Sequence, residues 1–102
     1  MAKDVSTIGV KVKFMGDLPA LIGKRELVVT LPEASTVDDL LASLSKSYGD
    51  PFTLRVFSDP GKLHHYMVVF LDGQNIEDLG GLAARLGESQ VEVVMLPMYE
   101  GG

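Results

Sequence analysis

One segment of this 102-residue chain repeats at helical period, and it stands between runs that alternate at period two. Val37, Leu40, Leu41, Leu44 and Tyr48 fall on a single apolar stripe. Ser35 or Thr36 supplies an N-cap, and Asp38 or Asp39 puts negative charge in the first turn, where the helix dipole favours it. Gly49 suits the C-terminus, and Pro51 blocks continuation. One amphipathic helix can cover only one face of a sheet. The strands around it must therefore build a sheet whose other face stays open.

Those strands are legible as alternation. From Ile8 to Met15, residues Ile8, Val10, Val12 and Phe14 point one way and Lys11, Lys13 and Met15 the other. Gly16-Asp17-Leu18-Pro19 breaks the run, and Ala20-Leu21-Ile22-Gly23 is an apolar connector of about one helical turn. Glu26 to Leu31 alternates again, with Leu27, Val29 and Leu31 on one side, so the two runs pair antiparallel across a long loop. After the helix, Pro51 to Ser58 reads as a helical turn with Phe52, Leu54, Val56 and Phe57 as satellite core, and Ser58 to Lys62 as a turn. Tyr66 to Leu71 is an unbroken apolar run, as in a central strand, and Asp72-Gly73 suits a tight turn into Gln74-Asn75-Ile76. A compact connector anchored by Leu82 and Leu86 leads to the last run, where Val91, Val93 and Met95 oppose Glu92, Val94 and Leu96. The helical crossover lets this last strand lie parallel beside the first. The expected fold is α+β: a mixed sheet of four to five strands with one main helix on one face, a roll of the ubiquitin-like β-grasp type. Residues 1–102 are read as one domain, with 97–102 an exposed C-terminal tail.

Composition removes several classes of function. Nine Lys and Arg face 14 Asp and Glu, a net charge of −5, which speaks against a nucleic-acid partner and allows a basic protein partner. The chain has no cysteine, hence no disulfide and no thiolate metal site. His64 and His65 are adjacent, so on an extended strand their rings diverge, and no acidic residues stand at ligand spacing; no metal is expected. Gly61-Lys62 lacks the preceding glycine of a phosphate loop. No apolar run approaches the ~18 residues of a membrane span and no signal peptide opens the chain, so a cytoplasmic location is expected. No nucleophile, base and orienting group fall together, so no catalytic residue is assigned.

The remaining signal is the ending. Pro97 has no backbone N–H and biases Leu96 to extended geometry, so the chain is expected to leave the sheet there. Met98, Tyr99 and Glu100 follow, then Gly101 and Gly102, whose backbone can pass where a Cβ would clash. A carboxylate on so thin a tail can enter another protein's narrow active site.

The order of elements, Val-Asp-Asp-Leu-Leu at 37–41, Phe-Leu-Asp-Gly-Gln-Asn-Ile at 70–76, and Met-Leu-Pro with Gly-Gly within 95–102 together resemble the MoaD/ThiS sulfur-carrier proteins. Asp-Pro-Gly-Lys-Leu-His at 59–64 and Gly-Gly-Leu-Ala at 80–83 look most like the CysO branch, which serves cysteine biosynthesis; the archaeal small modifier proteins share the layout. The resemblance implies a carrier with no active site and no bound cofactor. A partner resembling the ubiquitin-activating enzymes would use ATP to adenylate the Gly102 carboxylate. A sulfur donor would then displace AMP, and the resulting thiocarboxylate would pass its sulfur to an accepting synthase, in cysteine, molybdopterin or similar biosynthesis. Relatives carry smaller residues before the glycines, so the partner's channel here would have to take Tyr99 and Glu100. The alternative from the same resemblance is a protein modifier joined through Gly102 to lysines of target proteins. A plain binding module with incidental glycines is a third reading, and an intrinsic enzyme the weakest.

An acyl adenylate hydrolyses in water, so activation belongs in a closed pocket of the partner. Ordering some six tail residues there costs roughly 6–12 kcal/mol. Burying roughly 400–500 Å² of apolar surface on the body would offset the upper figure. The open sheet face is the expected source: Met15, Phe70, Val94, Leu96, Pro97 and Met98, with Val68 beside them. Lys11 and Lys13 would add a small basic strip at the rim.

Overall fold

The computed structural model describes residues 6–87 and 90–98. The described residues form seven strands and three helices. They are β1 (Thr7–Phe14), α1 (Leu18–Ile22), β2 (Glu26–Pro32), α2 (Val37–Tyr48), α3 (Asp50–Val56), β3 (Phe57–Asp59), β4 (Lys62–Leu63), β5 (Met67–Leu71), β6 (Gln74–Asn75) and β7 (Gln90–Pro97). Short 3-10 turns cover Ile76–Leu79 and Gly81–Ala83. The main sheet runs β2-β1-β7-β5-β6, and β3 and β4 form a separate two-stranded ribbon.

The sheet is mixed, as the element order requires. β1 pairs antiparallel with β2, placing Val10 opposite Val29 and Val12 opposite Leu27. β7 lies parallel to β1, with Val10 beside Val91 and Val12 beside Val93. On its other edge β7 runs antiparallel to β5. Asp72-Gly73 turns β5 into β6 with both residues at positive φ, the conformation a two-residue hairpin requires. The last strand is thus central, hydrogen-bonded on both sides.

α2 is fixed at its start by a reciprocal cap. The Asp39 N–H donates to Thr36 Oγ1 at 3.2 Å, and the Thr36 N–H donates to Asp39 Oδ2 at 2.9 Å. Of the two candidate caps, Thr36 is therefore the one used. Its stripe of Val37, Leu40, Leu41 and Leu44 is buried against the inward residues of β1, β5 and β7, and Tyr48 is half-buried at the edge. This is the core.

The fold class agrees with the sequence reading; several local expectations change. The stretch after Gly49 is a second helix rather than a turn, because Pro51 enters its first turn, where no N–H is needed. Phe52 and Val56 of α3 are fully buried in the main core, whereas Leu54, expected beside them, is 70% exposed. At helical pitch, Leu54 falls about 200° round from Phe52, on the outer face. Ser58 to Lys62 is the ribbon β3–β4 with its turn at Pro60-Gly61. β5 begins at Met67, and its apolar run conceals a regular alternation: Met67, Val69 and Leu71 are buried, Val68 and Phe70 half-buried.

Candidate docking face and tail root

The helices cover one face of the sheet, and the other face divides into two halves. Along β1 it is charged: Lys11 pairs with Glu26 at 3.9 Å, and Lys13, beside Val94 in register, with Glu92 at 3.1 Å. The expected basic strip is therefore neutralised by acidic neighbours on β2 and β7. Towards the end of β7 the face is apolar. Val94 lies opposite Phe70 and Leu96 opposite Val68, all four half-buried. Met15, one residue past β1, is 45% exposed, and Met98, one past β7, is 54% exposed. Five of the six predicted docking residues, Met15, Phe70, Val94, Leu96 and Met98, thus offer solvent-accessible apolar surface.

Pro97 is the exception, and the tail boundary moves with it. Pro97 is buried and is the last residue of β7, opposite Met67. Proline can end a strand where its missing N–H is not needed by a neighbour. Its ring lies against Gly16: a Cβ on Gly16 would stand 3.1 Å from Pro97 Cγ. Met98, not Pro97, is the first residue beyond the sheet. Tyr99, Glu100, Gly101 and Gly102 lie outside the described residues.

The end of β7 is held from both sides. The Met15 N–H donates to the Met95 carbonyl at 3.0 Å, and the Met98 N–H donates to the Tyr66 carbonyl at 2.7 Å. Tyr66 is itself pinned. Its hydroxyl accepts from Arg55 Nη1 at 2.7 Å and lies 3.2 Å from the Arg55 carbonyl, to which it donates. The second arm of Arg55 meets Asp17 Oδ2 at 2.6 Å. His64 stacks on the Tyr66 ring at 4.8 Å and donates from Nε2 to the Leu54 carbonyl at 3.0 Å; His65 meets the same ring edge-on at 5.7 Å. The two histidines, expected to diverge, converge on one tyrosine because the chain turns at 65–66 before entering β5. Among the described residues, no group of three or more His, Cys, Asp or Glu is placed to hold a metal. Arg55, Asp17 and Tyr66 carried no signal in the sequence. They are 11 to 49 positions apart, in no fixed motif, and only the fold joins them.

A mixed five-stranded sheet, one principal helix on one face, a central last strand parallel to the first and an apolar open face define the class: this is a ubiquitin-like β-grasp protein. Solved structures bear the same architecture. The chain is similar to small archaeal modifier protein 1 from Haloferax volcanii, at 26% identity over 92% of this chain and 99% of that one, with a TM-score of 0.77. It is similar to small archaeal modifier protein 1 from Methanosarcina acetivorans, at 28% identity over 94% and 98% of the two chains, with a TM-score of 0.76. A chain of the BexX/CysO complex from Amycolatopsis orientalis aligns at 20% identity over 91% and 99%, with a TM-score of 0.73, a likeness of fold. No family model and no curated protein matches the sequence. No helix among the described residues is long and apolar enough to cross a membrane.

Proposed function

We propose that this protein is a sulfur carrier whose Gly102 carboxylate is activated by an adenylating partner and converted to a thiocarboxylate. The observation that carries the reading is the coincidence, at one end of β7, of an apolar open face and the start of the segment ending Gly101-Gly102. A partner that buries Met15, Val94, Leu96 and Met98 has the following residues within reach of its own active site. In that site a carboxylate oxygen of Gly102 attacks the α-phosphorus of ATP and pyrophosphate leaves. Hydrosulfide then attacks the acyl carbon and AMP leaves, giving the thiocarboxylate. Its sulfur displaces a leaving group on the accepting synthase's substrate, and hydrolysis of the resulting thioester returns the Gly102 carboxylate. The protein contributes binding surface and an acyl group; ATP binds to the partner.

The likeness to two small archaeal modifiers favours a second reading. In it, the same activated Gly102 carbonyl is attacked by a lysine amine of a target protein, leaving an isopeptide. Both readings need the same docking and activation, and they part only at the nucleophile.

Intact-mass spectrometry of the protein from its native host tests both. A mature chain ending at Gly102, with one terminal oxygen exchanged for sulfur, is the result expected of a carrier. Target peptides bearing the Gly-Gly remnant on lysine after digestion with a glutamate-specific protease, which cuts after Glu100, would establish the modifier. A natural product that continues past Gly102 without trimming, or a chain lacking Gly102 that still complements its host, would overturn both.

A further inference from the structure

The contacts at the end of β7 close into a ring. Asp17 is bound to Arg55, Arg55 to the Tyr66 hydroxyl, and the Tyr66 carbonyl to the Met98 N–H. Met98 follows Pro97, Pro97 packs on Gly16, and Gly16 is covalently joined to Asp17. The ring draws on α3, the turn after β1, the entry to β5 and the end of β7, so every element around the point of exit is tied to the others.

An ion pair whose carboxylate is as open as that of Asp17 adds little to stability, since water and salt screen it. What the pair does supply is geometry. A guanidinium is a planar fork that can serve a carboxylate and a phenol at once in fixed directions, which an ammonium cannot. The Arg55 guanidinium also lies 5.3 Å from the centre of the Tyr66 ring, and His64 stacks on that ring, so Tyr66 is held by its hydroxyl and by its ring. Its carbonyl, the acceptor for Met98, is fixed in consequence.

We propose that Arg55 is a positioning residue for carboxylate activation. Bridging Asp17 and Tyr66, it fixes the carbonyl on which Met98 hangs and thereby sets the point from which the segment after Met98 is presented to the adenylating partner. The inference rests on the carrier reading above and adds to it the residues that aim the acyl group. Misaiming the reacting atom lowers turnover while Met15, Val94 and Leu96, the docking residues outside the ring, keep their places.

The test uses the full-length chain and the variants Arg55→Lys, Tyr66→Phe and Leu54→Ser, the last an exposed neighbour outside the ring. Amide hydrogen exchange is followed at Met98 and, as a control, at Val93 in the middle of β7. ATP-dependent pyrophosphate release is measured with the adenylating enzyme purified from the native host. In Arg55→Lys and Tyr66→Phe, Met98 exchange is expected to rise about tenfold with Val93 unchanged. In the same variants kcat is expected to fall at least about fivefold, with a smaller change in KM for the carrier, because Met15, Val94 and Leu96 of the docking face stay in place. Leu54→Ser should leave all of these at the wild-type value. Unchanged Met98 exchange, an equal rise at Val93, or unaltered turnover despite faster Met98 exchange would each overturn the proposal. Failure of the wild-type chain itself to support pyrophosphate release would overturn the carrier reading, and the presentation role with it.

Discussion

Gly16 stands at φ +64° with its α-carbon directly against the ring of Pro97, so that a methyl group there would approach Cγ to 3.1 Å and Cδ to 3.2 Å. Two constraints meet at one residue: a left-handed backbone that favours glycine, and a contact so close that a methyl group would require Pro97 to give by a few tenths of an ångström. Gly16→Ala should therefore lower unfolding stability by about 1–2 kcal/mol from the backbone conformation alone, before any shift of Pro97 is added. Chemical denaturation of both proteins measures it, and an unchanged midpoint would show that the turn relaxes freely.

The burial contrast within α3 makes a second prediction. Phe52 is fully enclosed, whereas Leu54 two residues on is 70% exposed. Phe52→Ala should cost about 3–5 kcal/mol, as expected for a large side chain removed from a closed core. Leu54→Ala should stay within about 0.5 kcal/mol of the parent. Comparable losses at the two positions would mean that α3 packs by another face.

The α2 cap is a third test. Thr36→Ala removes the acceptor for the Asp39 N–H and leaves that donor at the helix start without its side-chain partner. A loss of about 1 kcal/mol is expected. Thr36→Ser retains the hydroxyl and should recover most of it in the same melt.

The proposed docking face can be separated from the fold because Met15 and Met98 project from it rather than into the core. Met15→Ser combined with Met98→Ser should change stability by less than about 1 kcal/mol. If the proposed adenylating partner docks here, the same double variant should weaken that complex by at least about tenfold, measured by calorimetric titration. Equal affinity of parent and variant would place the partner on some other surface.

The charged half of the open face should behave differently. Lys13 and Glu92 pair at 3.1 Å with both side chains about 40% exposed. Lys13→Ala is expected to cost less than about 1 kcal/mol at low salt and nearly nothing at high salt, because solvent ions screen so open a pair. A salt-independent loss larger than this would indicate that the aliphatic stem of Lys13 contributes packing instead.

Wherever a local pattern had to match a local geometry, the sequence alone determined the outcome. Period-two alternation placed Val10, Val12, Val91 and Val93 inward and Lys11, Glu92 and Val94 outward, because side chains on a strand must take opposite faces. The stripe from Val37 to Leu44 specified the covering helix, and Asp72-Gly73 the hairpin, for the same kind of reason. One helix between two pairs of strands then left little choice but a mixed sheet with β7 beside β1.

The tertiary structure decided what depends on residues far apart in the chain. Tyr66 to Leu71 is apolar throughout, so its alternation emerged only when β7 covered one edge and the helix layer one face. From its sequence Pro97 marks the point of departure from the sheet, yet its contact with Gly16, 81 positions earlier, keeps it inside. The ring of Asp17, Arg55, Tyr66 and Met98 has no sequence signature at all. Hydrogen bonds between distant segments are set by where the folded backbone brings their donors and acceptors, and no spacing along the chain encodes that distance.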